Sequence, residues 1–166
     1  KEDLFITMAL TDPEKRQRGG ITAFIVDKDT PGLKVARGIP MLAQHHPYEV
    51  IFDNVEIDEN QVLGEIGQGF APMQNRLGIR RIEMAQRSVG MSERLLEMMA
   101  EYANQRKTFG QYLSERQAVQ WWIADSAIDI HATRLMSYHA AWKMDQGVKD
   151  LRREAAMLQV FGTEMA

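Results

Sequence analysis

The first 70 residues alternate short apolar segments with polar turns. Four segments are rich in apolar and β-branched residues, and the pattern predicts a strand in each: 4–10, 21–26, 33–35 and 48–55. All five prolines lie within the first 72 residues, and Pro31-Gly32 marks a turn between two of the predicted strands. Short strands separated by such turns predict a small antiparallel sheet. A sheet of so few strands is marginally stable alone, so we expect it to be the remnant of a larger one.

The period of the apolar residues changes beyond residue 70. From Phe70 to Tyr102 apolar side chains recur at three- and four-residue steps, which predicts a long helix that ends near Gln105. Pro72 fits the first turn of this helix, where its missing N–H is not needed. Small side chains near the middle of the helix are expected to permit close packing with another helix: Ala85, Ser88 and Gly90.

A second helix is predicted from about residue 115 to residue 146. It carries apolar residues on several faces, so we expect it to be largely buried in a bundle. Gly147 is predicted to cap its C-terminus, and Asp150 to cap a third helix, inside which the chain stops at Ala166. The fold class is therefore α+β: a small antiparallel β-sheet remnant followed by long antiparallel helices of an up-and-down helical bundle.

Composition excludes several classes of function. The net charge of -3 gives no basic surface for nucleic acid or for an anionic membrane. No stretch reaches the roughly 20 apolar residues of a membrane-spanning helix. The absence of cysteine excludes disulfides and thiolate catalysis. No targeting segment precedes the first apolar run, and this abrupt start leads us to expect a segment cut from within a larger fold.

The segment between the two long helices holds the best candidates for chemistry. It reads Arg106-Lys107-Thr108-Phe109-Gly110, followed by Ser114-Glu115-Arg116-Gln117. The Arg106 guanidinium can hold two phosphate oxygens, and the start of a helix offers free N–H groups, so this junction suits the diphosphate of a dinucleotide. Two structural alternatives stay open. Arg106 can interact favourably with the negative C-terminal end of the preceding helix, and the Gln117 side chain can form a capping box with Ser114.

A second group of candidates lies around the start of the first long helix. Gly67-Gln68-Gly69 lacks the third glycine and the strand–helix–strand context of a dinucleotide fingerprint, so we interpret it as a flexible lead-in turn. Arg80, Arg81 and Glu83 lie among apolar neighbours. They either face a cleft or form a solvated stripe with local ion pairs, and the sequence leaves both possibilities open.

Histidines and the charges of the second helix are expected to be structural. The pairs His45/His46 and His131/His139 lack metal-ligand spacing, so we expect no metal site. The charged residues of the second helix are expected to form salt bridges within that helix: Asp125, Asp129 and Arg134.

The order of these segments resembles the acyl-CoA dehydrogenases. The similarity runs from late in the middle β-domain, residues 1–66, to partway through the C-terminal helical domain, residues 67–166. The matching motifs are Gly20–Val26 with Thr30-Pro31-Gly32, Phe52–Val55 through Gly69-Phe70, Arg106–Gly110 with Gln117–Gln120, and Ala140–Gly147. No single motif carries the resemblance, but their order and spacing do.

The resemblance implies an FAD enzyme that dehydrogenates an acyl-CoA thioester between its α and β carbons. Electrons would pass to an electron-transfer flavoprotein, in the bacterial cytoplasm or the mitochondrial matrix. By position, the implied FAD contacts are Arg106, Lys107, Thr108, Phe109, Arg116 and Gln117. In the family this corner reaches the FAD held mainly by a neighbouring subunit, which implies a homo-oligomer of two or four subunits. Arg81 resembles an arginine that helps to bind acyl-CoA.

Two departures from the family pattern concern catalysis. One of the two family positions for the catalytic base is occupied by Arg80, which cannot act as a base at neutral pH, and Glu83 is only a weak substitute. The base is therefore expected beyond Ala166, and the 166 residues alone are expected to be inactive. An acidic residue that often accompanies the acyl-CoA arginine is replaced by Gly78. The alternatives are a helical oligomerisation module without a catalytic role, or a related flavoprotein oxidase or hydroxylase.

Overall fold

The computed structural model describes residues 3–42 and 46–166, and His45 lies outside the described residues. The chain divides into two compact units, of which the first ends at Gln74 and the second begins at Asn75. The first unit contains the strands predicted near the start of the chain. The second contains most of the helical sequence.

Two antiparallel strand pairs build the first unit. Strand β1 (Leu4–Leu10) pairs with β2 (Ile21–Asp27), so that Leu4 lies opposite Asp27. Strand β3 (Leu33–Gly38) pairs with β4 (Tyr48–Phe52). The antiparallel arrangement predicted from the sequence is confirmed. Within the described residues the two pairs are separate sheets, and β4 ends three residues earlier than predicted.

The segment Gly67-Gln68-Gly69 packs tightly against β2. The Gly67 N–H donates to the hydroxyl of the buried Thr22 at 2.9 Å, and the Gly69 N–H donates to the carbonyl of Ile21 at 2.8 Å. A Cβ at Gly69 would lie 2.5 Å from the backbone nitrogen of Ala23, so no side chain fits there. The expectation of a flexible turn is wrong, because close approach of two backbones requires these glycines.

Three helices follow: α1 (Phe70–Gln105), α2 (Gln117–Asp145) and α3 (Arg152–Glu164). Their bounds confirm the predicted helices to within about two residues. Pro72 is the third residue of α1, in its first turn. The prolines stay out of the helix interiors, where each would remove a hydrogen bond and clash with the preceding turn.

The three helices approach one another closely at Gly162 of α3. A Cβ there would lie 2.9 Å from the Cβ of Ala85 in α1 and 3.3 Å from Cγ2 of Thr133 in α2. Ala85, Ala140 and Leu158 form the buried core cluster beside this point. The prediction that small residues of α1 permit close packing is therefore confirmed at Ala85. It is wrong at Gly90, which faces open space.

Helix α2 is far more exposed than its apolar sequence predicts. Trp121, Trp122 and Trp142 each expose more than half of their surface, at 59%, 62% and 57%. The buried residues of α2 are confined to Ile130, Thr133, Ser137 and Ala140. The expectation that α2 is largely buried is wrong, because a helix that is apolar on several faces needs a partner on each of them. Within the described residues, partners cover only one side.

Charged pairs join α2 to its neighbours. Arg134 pairs with Glu93 of α1, so the prediction that Arg134 bridges to Asp125 or Asp129 within α2 is wrong. Arg134 lies five residues after Asp129, outside the three- or four-residue spacing that brings two side chains together on a helix, and Glu93 offers a better-placed carboxylate. In the part of the chain that the structure describes, neither aspartate forms an ion pair.

The turn between α2 and α3 has the predicted cap at Gly147, but the N-cap of α3 is Leu151 and not the predicted Asp150. Gly147 adopts φ +78°, its N–H bonds to Met144 O at 2.9 Å, and the Val148 N–H bonds to Lys143 O at 3.0 Å. These are the two bonds of a Schellman motif, so the predicted C-cap is confirmed. Asp150 accepts a hydrogen bond from the Arg152 N–H at 3.2 Å, which supports the start of α3.

A buried ion pair holds α3 against α2. The Lys143 ammonium lies 2.6 Å from the Glu154 carboxylate, and Arg153 bonds to the same oxygen at 3.2 Å. Glu154 is buried, with 8% of its surface exposed. The hydrogen bond from Lys143 is the main cause that lowers the pKa of Glu154 from 4.5 to about 2. The carboxylate therefore remains charged far below its usual titration range.

We predict that Gly162→Ala lowers the free energy of unfolding by about 1–3 kcal/mol, because the new methyl group overpacks the contact with Ala85 and Thr133. Gly90→Ala is the matched control. It places the same methyl group on α1 in open space and should raise the free energy of unfolding by about 0.5–1 kcal/mol. Urea denaturation followed by helical circular dichroism measures both. Equal effects of the two substitutions would contradict close packing at Gly162.

We predict that Glu154→Gln destabilises the protein at neutral pH, and that the difference from the wild type shrinks as the pH falls from about 4.5 towards 2. The folded-state pKa of Glu154 is lower than the unfolded-state value, so its contribution is complete above pH 4.5 and is lost on acidification. Unfolding free energies measured across this pH range test the prediction. Glu97→Gln, at an exposed pair with Arg94, should have little effect. A pH-independent difference for Glu154→Gln would contradict the assignment.

Candidate functional site

A small hairpin connects α1 to α2. Strands β5 (Lys107–Thr108) and β6 (Gln111–Tyr112) pair antiparallel, and a short 3₁₀ turn (Leu113–Glu115) leads into α2. Phe109 and Gly110 form the two-residue loop with φ +52° and +82°, as a type I′ turn requires. The sequence predicted the break in helical structure but not the hairpin. A glycine at the second loop position is the sequence signal for such a hairpin.

Arg106 lies between α1 and β5, and its backbone is fully engaged. Its N–H bonds to Tyr102 O at 2.9 Å, and its carbonyl accepts from the Leu113 N–H at 2.9 Å, which closes the hairpin. The side chain is exposed and has no hydrogen-bond or ion-pair partner among the described residues. The backbone of Arg106 is therefore fixed, while its guanidinium remains available to an anion.

Three of the predicted site residues form side-chain contacts that hold the hairpin: Lys107 and Thr108 within it, and Arg116 at the start of α2. The Lys107 ammonium lies 4.3 Å from the centroid of the Tyr112 ring, its cross-strand partner. Nη2 of Arg116 donates to the carbonyl oxygen of Thr108 at 2.7 Å and to its hydroxyl at 2.9 Å. These contacts stiffen the hairpin and fix it to the start of α2.

The start of α2 lacks the capping box proposed from the sequence. Glu115, not Gln117, closes a local bond by accepting from the Tyr112 N–H at 3.0 Å, while the Gln120 amide donates to Ser114 O at 2.8 Å. That prediction is wrong because the 3₁₀ turn shifts the helix start to Gln117. In residues 3–42 and 46–166, no acceptor meets the backbone N–H groups of Gln117 and Ala118.

The charge of the junction is positive. Arg106, Lys107 and Arg116 contribute three positive charges and Glu115 one negative charge, a net of +2. The two hydrogen bonds of Arg116 go to neutral oxygens, so they leave its charge uncompensated. Free N–H groups at a helix start add to this field. The arrangement suits a diphosphate group.

Phe109 combines two unfavourable features. It adopts a left-handed backbone conformation that bulky side chains rarely occupy, at a cost of order 1 kcal/mol. Its side chain is also fully exposed, at 100% of its surface. A strained and exposed aromatic ring at a loop tip suits stacking against a planar partner, such as the ring of a nucleotide base.

Of the candidates on α1, Arg80 and Glu83 form an ion pair, while Arg81 has no ion-pair partner within the described residues. Arg80 donates to the Glu83 carboxylate at 2.7 Å, and Arg76 lies 3.4 Å from its other oxygen. The hydrogen bond from Arg80 is the main cause that lowers the pKa of Glu83. Glu83 is thus a poor general base, because such a base needs a pKa near the working pH. The alternative of local ion pairs holds for Arg80 and Glu83.

Arg81 is exposed and has no ion-pair partner within the described residues. It lies 24 residues before the end of α1, which places it about 36 Å from the hairpin along the helix axis. The structure brings together the six predicted residues of the junction, from Arg106 to Gln117. It keeps Arg81 apart from them, so the chain carries two separate candidate sites.

The described residues contain no group of three or more histidine or carboxylate side chains that could hold a metal ion. His139 stacks on Trp142 with ring centroids 6.1 Å apart. It also lines a cavity of about 260 Å³ between α2 and α3, beside Met136 and Glu154. Among the helices of the described ranges, none is long and apolar enough to cross a membrane.

Comparison with known proteins gives a consistent result. The sequence model of the acyl-CoA dehydrogenase C-terminal domain matches residues 67–166. The (R)-benzylsuccinyl-CoA dehydrogenase of Thauera aromatica is 52% identical over 166 residues, which cover 99% of this chain and 41% of that protein. The chain therefore spans about two fifths of the length of this curated relative.

Solved structures agree with the sequence comparison. Butyryl-CoA dehydrogenase from Megasphaera elsdenii matches with a TM-score of 0.88 at 32% identity, over 99% of this chain and 43% of that one. PigA, solved with FAD and proline, matches with a TM-score of 0.90 at 34% identity, over 98% of this chain and 43% of that one.

We predict that Phe109→Asn stabilises the hairpin by about 1 kcal/mol, because asparagine tolerates the left-handed conformation of the first loop position. Hydrogen exchange at the Leu113 amide, whose bond closes the hairpin, measures the opening free energy. Phe109→Ala is the control, since it removes the ring but keeps the strain, and it should change the opening free energy little. If Phe109→Asn opened the hairpin more readily, the ring would have to pack against the protein.

Proposed function

Because the chain belongs to the acyl-CoA dehydrogenase family, we propose that it forms part of an FAD-dependent oxidoreductase that acts on an acyl-CoA thioester. The reaction introduces a double bond between the α and β carbons of the acyl group. We propose that residues 1–66 are the end of the middle β-domain and residues 67–166 the first part of the C-terminal helical domain. The observation that carries the proposal is the cationic hairpin between α1 and α2.

The donor set of the hairpin fits FAD. Arg106 offers a free guanidinium fork, and the start of α2 offers the N–H groups of Gln117 and Ala118, which together suit the diphosphate. Phe109 offers an exposed ring for the adenine. PigA, a structure of similar fold, was solved with FAD. When bound, FAD supplies the acceptor for the two electrons that leave the substrate.

The chain's own residues serve binding in this proposal. Arg81, a free cation on α1, contributes to acyl-CoA binding by attracting its phosphates. The catalytic base comes from residues outside these 166, since Glu83 is held as an ion pair by Arg80. The 166 residues alone then bind parts of two ligands but do not complete the reaction.

The separation of the two sites supports an oligomer. About 36 Å of helix lies between Arg81 and the hairpin, so we propose that the hairpin contacts the FAD of a neighbouring subunit in a dimer or tetramer. Electrons pass onward to an electron-transfer flavoprotein. The relatives from Thauera and Megasphaera are bacterial, and we propose a cytoplasmic location.

A second candidate function is favoured by the similarity to PigA, which was solved with proline as well as FAD. It places the chain in a flavoprotein of the same fold that does not use an acyl-CoA, such as an oxidase or hydroxylase. The 52% identity to a benzylsuccinyl-CoA dehydrogenase favours an acyl-CoA substrate instead.

We predict that Arg106→Ala weakens FAD binding about 10- to 100-fold in the native protein that contains this segment, because it removes charge-assisted hydrogen bonds to phosphate. Equilibrium dialysis with flavin fluorescence measures the dissociation constant. Arg94→Ala is the control, since it removes the same charge from an exposed part of α1 and should leave FAD binding unchanged. Full FAD retention by Arg106→Ala would refute the role of the hairpin.

We predict that benzylsuccinyl-CoA or butyryl-CoA bleaches the flavin absorbance of the native holoprotein under anaerobic conditions, while proline does not. Bleaching requires transfer of two electrons from the substrate to FAD, so it reports the substrate class directly. Bleaching by proline alone, or rapid reoxidation of the reduced protein by oxygen, would favour the oxidase or hydroxylase alternative.

A further inference from the structure

Arg116 links the hairpin to α2 through both its backbone and its side chain. Its backbone caps the start of α2, where its carbonyl accepts from the N–H groups of Val119 at 3.0 Å and Gln120 at 3.1 Å. Its side chain reaches back to Thr108, eight residues earlier. One residue thus fixes the direction of β5 relative to the axis of α2.

The Arg116 side chain is fixed in this position. Nη2 bonds to both oxygens of Thr108, at 2.7 Å and 2.9 Å, while Nε is buried without a hydrogen-bond partner in the described ranges. A buried N–H without a partner costs free energy, so a freely moving guanidinium would turn towards water. The two bonds to Thr108 outweigh that cost and hold the side chain against the hairpin.

The consequence is a division of tasks among the residues of the junction. Thr108 is engaged by Arg116, and Lys107 lies over the Tyr112 ring. Arg106 and Phe109 remain exposed. Between them, the engaged residues determine where the exposed ones stand.

We propose that Arg116 is a positioning residue: by gripping Thr108 it holds Arg106 and Phe109 in a preformed arrangement beside the start of α2. This inference rests on the proposed binding of FAD at the hairpin. It assigns Arg116 a different task from direct contact with the cofactor, since its Nη2 is already bonded to both oxygens of Thr108. Binding to a preformed arrangement avoids the entropy cost of ordering the hairpin.

The test uses the native protein that contains this segment, with FAD as the probe. Arg116→Lys keeps the charge, but its ammonium lies one bond nearer the backbone than Nη2 of arginine, so it loses the two bonds to Thr108. Thr108→Val removes the hydroxyl acceptor and keeps the carbonyl, while Thr108→Ser restores the hydroxyl. Arg94→Lys on exposed α1 is the control. The FAD dissociation constant, the melting temperature of the apoprotein and hydrogen exchange at Leu113 are measured for each variant.

We expect Arg116→Lys to weaken FAD binding about tenfold and to speed exchange at Leu113, with little change in apoprotein melting temperature. Thr108→Val should weaken FAD binding less, and Thr108→Ser should behave as the wild type. The double variant Arg116→Lys/Thr108→Val should bind FAD no more weakly than Arg116→Lys alone, because both substitutions break the same contact. Arg106→Ala should also lose most of its effect in the Arg116→Lys background.

Wild-type FAD binding by Arg116→Lys would overturn the inference, because charge alone would then suffice. Additive effects of Arg116→Lys and Thr108→Val would also overturn it, as would losses in FAD binding that follow the apoprotein melting temperature. A normal dissociation constant for Arg106→Ala alone would instead refute the proposed FAD site, and this inference with it. The two failures are therefore distinguishable.

Discussion

The three helices are held at a distance that only glycine permits. Gly162 of α3 lies between Ala85 of α1 and Thr133 of α2, and any side chain at this position would overlap Ala85. Leu158 and Glu154 lie one and two turns earlier on the same face of α3. The ion pair of Glu154 with Lys143, the core contact of Leu158 and the close approach at Gly162 thus lie along one face of α3. The position of α2, and with it the place where Arg116 begins that helix, depends on these contacts.

The junction between α1 and α2 combines rigid support with exposed binding groups. Side chains that could bind a ligand, such as Arg116 and Lys107, are used to hold the hairpin in place. The exposed pair, Arg106 and Phe109, is left without partners in the described part of the chain. A site whose supporting residues are locked by hydrogen bonds holds its binding groups in a narrow range of positions. The strain at Phe109 is consistent with a position kept for contact and not for stability.

Apolar surface on α1 and α2 remains exposed around this framework. Trp121, Trp122 and Trp142 are examples on α2, and Met91 and Leu95 are examples on α1. Large apolar surfaces in soluble proteins mark contacts with other surfaces. They favour the proposed assembly into an oligomer, in which the hairpin of one subunit serves the cofactor of another. The family relationship and the exposed helix faces therefore support the same arrangement.

Periodicity and special residues determined the elements of this protein from the sequence alone. Strands β1 to β4, the three helices and the cap at Gly147 follow from local preference, because period, proline and glycine act within a few residues. The candidate residues from Arg106 to Gln117 were also identified by their chemistry and order. Tertiary structure decided which contacts form: Arg134 pairs with Glu93, Arg116 donates to Thr108, and the backbone of Gly69 packs on β2. Such choices depend on distances between residues far apart in the chain, and sequence spacing does not contain those distances.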